Sequence, residues 1–88
     1  MQSYRLKFSD RAIRILERMA QREPELYKRV TRALEDVECD PFQGKLLKGE
    51  LRSLYSYRVG DYRIIYQIRR HELIVLIIDV GHRRDIYR

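Results

Sequence analysis

Apolar and charged residues alternate over residues 4–8, where Tyr4, Leu6 and Phe8 are separated by Arg5 and Lys7. That is the period of a half-buried strand. Ser9 follows as a helix N-cap, with Asp10 in the first turn. Ala12, Ile15, Leu16, Met19 and Ala20 then recur at helical spacing, while Arg11, Arg14, Glu17, Arg18 and Arg22 fill the other face. This predicts an amphipathic helix of about four turns. Glu23-Pro24-Glu25 ends it and opens a second helix, with Pro24 near the first helical position. Leu26, Val30, Ala33, Leu34 and Val37 give that helix its apolar face, and Asp40-Pro41 closes it. Such a short turn makes the two helices pack side by side or at an acute angle.

Residues 42–50 read as a loop. Residues 51–59 read as a strand, Gly60-Asp61 as a two-residue turn with Gly in the first central position, and Tyr62–Arg69 as the return strand. Arg70-His71 is a second tight connection. Residues 73–80 are apolar on both faces, as in a central strand, and Gly81 ends it, leaving a short basic tail. The order β-α-α-β-β-β segregates helices from strands. It predicts an α+β fold, with two N-terminal helices on one face of a small, mainly antiparallel sheet. The opposite face is then expected to be open.

The 88 residues have room for one core, so residues 1–88 are expected to form a single domain. Hydrophobic residues at 44% suffice for that core and argue against disorder. The size excludes a large metabolic enzyme. The single cysteine, Cys39, excludes a disulfide scaffold, suggests a reducing compartment and is expected to be a small packed residue. No apolar run reaches membrane-spanning length, and the first residues lack the apolar core of a signal peptide. A cytoplasmic protein without a membrane partner is expected.

Net charge is +6, and its distribution is uneven. Residues 1–40 carry nine Lys/Arg against eight Asp/Glu, and residues 41–88 carry ten against five. The first half reads as a balanced, salt-bridged scaffold and the second as a surface for an anion. Eight of the second half's ten cations are Arg, whose planar fork suits phosphate. Nucleic acid, a phosphorylated ligand or an acidic protein segment are the partners this implies, against a merely soluble basic surface.

With Gly60-Asp61 as the turn, Arg58 lies opposite Arg63, and both point to the face away from the helices, while Tyr55, Tyr57, Ile64 and Tyr66 point toward them. Like charges directly opposite cost up to about 1 kcal/mol. An anion between the two arginines removes that cost, unless Asp79, Asp85 or the chain's own backbone neutralises them. The tail is a second concentration. His82, Arg83 and Tyr87 offer an imidazole, a cation and a phenol, all useful around a phosphate. Ile86 and Tyr87 suit a packed end better than a frayed one. Two histidines and one cysteine give no metal-ligand spacing, and there is no Gly-rich phosphate loop or serine-nucleophile motif. His71 reads as a surface turn residue. The tyrosines read mostly as sheet residues, of which two or three on the open face would be able to stack bases.

The element order, residues 45–49, the segment YRVGDYRIIY at 57–66 and the segment GHRRDIYR at 81–88 together resemble the RelE toxins of the RelE/ParE superfamily. The resemblance covers essentially the whole chain. It implies the toxin of a type II toxin–antitoxin pair, with a small RelB-like antitoxin as partner. It further implies a ribosome-dependent mRNA endonuclease acting in the A site of a 70S-type ribosome without metal or other cofactor. The implied reaction is attack of a ribose 2′-oxygen on the adjacent phosphate, releasing a 5′-hydroxyl. By the same resemblance Arg63 contacts the scissile phosphate, Arg83 stabilises the phosphorane or leaving oxygen, and Tyr87 stacks on or orients the attacked nucleotide. His82 falls at an often basic position, and Arg58 grips the RNA. Lys45, Lys48, Arg52 and Arg84 complete the RNA-binding set.

Some relatives carry two lysines on the strand before the hairpin, where this chain has Leu54 and Ser56. Lys45, Lys48 or Arg52 is expected to replace their charge but not their position, which leaves the general base unassigned. Arginine is a poor base, so much of the rate has to come from positioning the RNA. Two other readings share the fold: a ParE-like toxin that binds DNA gyrase without cutting RNA, and a detoxified relative acting only in an antitoxin complex.

Overall fold

The computed structural model describes residues 3–47 and 53–82. The first strand, β1 (Arg5–Phe8), leads into helix α1 (Asp10–Arg22). Ser9 makes this junction: its Oγ accepts from the Ala12 N–H at 3.0 Å and donates to the Ile78 carbonyl at 2.7 Å. One side chain therefore both caps the helix and ties it to the far strand. Glu23 ends α1 by donating its N–H to the Met19 carbonyl, and its own carbonyl accepts from Tyr27. It is thus also the start of α2 (Pro24–Cys39), where Pro24 occupies a position that needs no donor.

The sheet continues with β2 (Lys45–Leu46), β3 (Leu54–Val59), β4 (Tyr62–Arg69) and β5 (Ile74–His82), in the spatial order β1-β5-β4-β3-β2. Only the β1–β5 pair is parallel. Helix residues Ala12, Met19, Val30, Ala33, Leu34 and Val37 bury against Val59, Ile64, Tyr66, Val75, Ile77 and Val80. Each large side chain buried this way contributes about 1.5–3 kcal/mol.

The α+β architecture expected from the pattern is the one observed, with three local corrections. Segment 42–50 is not simply a loop. A 3₁₀ turn, Pro41–Gln43, starts where the Asp40 carboxylate accepts the Phe42 N–H, and the two-residue β2 then pairs with β3. The strand expected to stop at Gly81 continues through His82. It begins at Ile74 because Leu73 is in the left-handed conformation (φ 55°) that closes a 3₁₀ turn, Arg70–Glu72.

A bulge in β5 explains why that strand reads as apolar on both sides. Ile65 pairs with Asp79 but Tyr66 pairs with Ile77, so Ile78 is an extra residue. The extra residue switches the parity of the strand and lets both Ile77 and Val80 face the helices. The second face of the sheet is not uniformly open either. Leu47, Ser56, Ile65 and Ile74 are buried there, outside the helix-side core.

Candidate functional site

The β3–β4 register is the one the turn predicts: Val59 pairs with Tyr62, Arg58 with Arg63 and Ser56 with Ile65. Gly60 holds the turn at φ +60°, where a side chain would be strained. Since directly paired residues share a face, Arg58 and Arg63 stand side by side away from the helices. Arg58 is exposed and its Nε donates to the Gly60 carbonyl at 3.0 Å. Arg63 is half-buried, with Nη1 3.5 Å from Ser56 Oγ, a contact at the limit of a hydrogen bond. Asp79, one candidate to neutralise the pair, binds Arg11 Nε at 3.1 Å and accepts the Val80 N–H, and Asp85, the other, lies outside the described residues.

Strand β2 adds a third cation. Lys45 pairs directly with Ser56, so its side chain emerges on the same face as Arg58 and Arg63. The position of β2 depends on the core. Buried Tyr66 donates its hydroxyl to the Pro41 carbonyl at 2.6 Å, and a Cβ on Gly44 would run into that hydroxyl. Tyr66 therefore seats the turn that delivers Lys45. Burial pushes the Tyr66 phenol up to about 12, a hydrogen bond from the Gly44 backbone pulling the other way. Lys45, Ser56, Arg58 and Arg63, with Gln43 and Gly44, line one groove of about 460 Å³. Tyr57 completes its lining, and buried Leu47 and Ile65 share this face of the sheet without lining the groove.

Not every residue expected at the site arrives there. His82 pairs with Tyr62 and packs edge-on against its ring, with 5.6 Å between centroids. It lines a separate groove on the helix side with Arg18, Arg22 and Glu23, so the structure does not bring it together with Arg63. Lys48, Arg52, Arg83, Arg84 and Tyr87 lie outside the described residues.

The aromatic residues of the strands gather on the helix side. Tyr55, Tyr57 and Tyr62 pack on the core, Phe42 bridges Tyr4 and Tyr55, and Arg70 stacks on Phe42 at 5.1 Å. Among the described residues the strand tyrosines therefore point to the helix side, and Tyr57 alone of them also lines the groove of Lys45, Arg58 and Arg63. Tyr57 donates to Asp36 Oδ2 at 3.3 Å, and its pKa is raised by burial and then by the Asp36 charge. Cys39, expected to be packed, is exposed at the end of α2. A larger groove of about 570 Å³ between Phe8, Ile13, Leu16 and Tyr27 is mostly apolar and carries no nucleophile or cation. Among the described residues no group of three or more His, Cys, Asp or Glu is placed to hold a metal. Among the same residues no helix is long and apolar enough to cross a membrane.

One feature escaped the sequence. Counting charges by halves assigned α2 to a balanced scaffold. In the fold Lys28, Arg29 and Arg32 line a second groove, about 450 Å³, that also includes Tyr57 and Arg58. The spacing of these cations was visible, but not that α2 runs beside the hairpin.

Comparison with known proteins gives this arrangement a family. Residues 6–87 match the family model described as the ParE toxin of the type II toxin–antitoxin system parDE. Toxin RelG of Mycobacterium tuberculosis is 37% identical over 87 residues, covering 97% of each chain. The fold superposes on the RelBE2 toxin–antitoxin complex of M. tuberculosis with a TM-score of 0.80 at 32% identity, covering 93% of this chain and 100% of that one. A YoeB/ParE toxin from Agrobacterium tumefaciens also gives 0.80, at 14% identity over 89% of this chain and 96% of that one, a likeness of fold alone. With a matching family model, a curated relative along nearly the whole chain and a superposing fold at 32% identity, the chain belongs to the RelE/ParE/YoeB superfamily and is a toxin component of a type II toxin–antitoxin system.

Proposed function

We propose that this toxin is a ribosome-dependent mRNA endonuclease, and that the groove between β2, β3 and β4 receives the scissile phosphate. The observation that carries this reading is the cross-strand pairing of Arg58 with Arg63, with Lys45 on the same face. Three cations on one small face are complementary to a phosphodiester. Half-buried Arg63 sits deepest and is the natural contact for the non-bridging phosphate oxygens. Exposed Arg58 and Lys45 flank it and hold the chain on either side. In the transition state the ribose 2′-oxygen bonds to phosphorus while the bond to the 5′-oxygen breaks. The 2′-hydroxyl gives up its proton as it attacks and the departing 5′-oxygen takes one up, which leaves a 2′,3′-cyclic phosphate and a 5′-hydroxyl. Arginine stabilises the charge that develops on the non-bridging phosphoryl oxygens without itself moving a proton. Arg83 and Tyr87 keep the roles the resemblance implies, on the leaving oxygen and on the attacked nucleotide.

Alignment of the RNA falls largely to the ribosome, since the groove is shallow and Ser56 replaces a cation found in relatives. A small antitoxin is the proposed protein partner, supported by relatives solved as toxin–antitoxin complexes. The family model carries the ParE description, so binding of gyrase without RNA cleavage is the competing reading. Primer extension on an mRNA in a purified translation system separates the two. Cuts confined to ribosome-occupied codons, absent when ribosomes are omitted, are expected. Uncut mRNA together with growth arrest in expressing cells would overturn the nuclease reading in favour of gyrase binding.

A further inference from the structure

We infer that the groove between α2 and the outer edge of β3 is a second phosphate subsite, taking the sugar–phosphate backbone of RNA that leaves the first groove past Arg58. This rests on the nuclease reading. Strand β2 pairs only with Tyr55 and Ser56, so from Tyr57 onward β2 does not cover the edge of β3. The two grooves meet over that stretch, because Tyr57 and Arg58 line both. Beyond it, one face of α2 presents Lys28, Arg29 and Arg32, with Arg58 on the opposite wall.

Two guanidinium groups converge on the hairpin turn. Arg58 Nε donates to the Gly60 carbonyl, and Arg29 lies so close that a Cβ on Gly60 would meet its Nη2 at 2.5 Å. Among the described residues Arg29, Arg32 and Arg58 make no ion pair. Two acids share the groove: Glu25 faces Lys28 at 3.9 Å and Asp36 accepts the Tyr57 hydroxyl, so four cations, Lys28, Arg29, Arg32 and Arg58, stand against two carboxylates. A net excess of cations, three of them arginines, continuous with the first groove fits a polyanion better than an apolar or neutral partner.

The test is a salt titration of binding to a 2′-O-methyl oligoribonucleotide, which cannot undergo 2′-oxygen attack, of about twelve nucleotides, within the range of single-strand binding sites. Each phosphate contact on a single strand contributes about 0.7 to the slope of log K against log salt. Arg29→Gln/Arg32→Gln is expected to lower that slope by about 1.4, and Arg29→Lys/Arg32→Lys to restore it. Should the neutralised pair fail to fold by circular dichroism, Lys28→Gln/Arg32→Gln carries the same test. An unchanged slope overturns the subsite, and so does an unchanged slope with weakened antitoxin binding, which would make the groove a protein-docking surface. Cleavage by the unmodified toxin reads the nuclease proposal separately. A protein that cuts nothing but loses slope keeps the subsite and loses the nuclease, and one that cuts but keeps its slope does the reverse.

Discussion

Lys45 and Ser56 are directly paired across β2 and β3, which places the lysine ammonium on the face that Arg58 and Arg63 occupy. In such a pair the Cβ atoms are about 5 Å apart. On the proposed reading this brings a cation to the phosphate groove, though not at the position of Ser56 itself. Lys45→Met should reduce ribosome-dependent cleavage at least tenfold, about 1.4 kcal/mol of transition-state stabilisation, while Lys45→Arg retains most of it. Because Lys45 is exposed, thermal stability should move by less than about 0.5 kcal/mol. Equal loss in both variants would show that the charge is not what matters.

Arg63→Lys tests geometry against charge. A lysine keeps the charge but loses the fork that holds two phosphate oxygens at once. We expect cleavage to fall by about 10²–10³, the range for removing one preorganised donor from a developing oxyanion. Single-turnover cleavage with saturating toxin reads this directly, and near-normal rates would reduce Arg63 to a point charge.

Ser9→Ala should destabilise the fold by about 1–2 kcal/mol, because it removes the α1 cap and the bond to the Ile78 carbonyl together. In a domain of this size each kcal/mol lowers Tm by about 4–8 °C. Ser9→Thr, which keeps the hydroxyl, should recover most of the loss in a thermal melt.

Alkaline pH should destabilise the protein through Tyr66. Its folded pKa, about 12, stands above the ordinary 10 chiefly because the phenol is buried. The folded state therefore holds its proton more tightly than the unfolded chain does. Stability is complete below pH 10 and is lost as pH rises from there through about 12, at up to about 1.4 kcal/mol per pH unit for one proton. Tyr66→Phe should flatten this slope in urea titrations, at a cost of about 1 kcal/mol at neutral pH for the lost bond to the Pro41 carbonyl. The same slope in both proteins would assign the alkaline loss to other groups.

The sequence carried the parts of the fold that have a period. The helical spacing of Ala12 to Ala20, the alternation in β3 and β4 and the Gly60 turn together imply the Arg58–Arg63 pair, and the structure has it. What has no period was not legible. Strand β2 is two residues long, and its place depends on Tyr66 reaching Pro41 across 25 positions. The face of His82 depends on β5 running one residue beyond Gly81, which a glycine seemed to end. Arg29 lies over Gly60 only because α2 runs beside the hairpin, a relationship between elements that charge counting averages away.

On the proposed reading the Arg58–Arg63 groove directs a 2′-oxygen at the neighbouring phosphate of ribosome-bound mRNA. This is tested most directly with programmed ribosomes carrying either an all-ribose mRNA or one with a single 2′-deoxynucleotide 5′ to the cut. The account predicts a 5′-hydroxyl product from the first with unmodified toxin, and no product from the 2′-deoxy mRNA or from Arg63→Ala. Equal cutting of the 2′-deoxy mRNA, or undiminished cutting by Arg63→Ala, would contradict it.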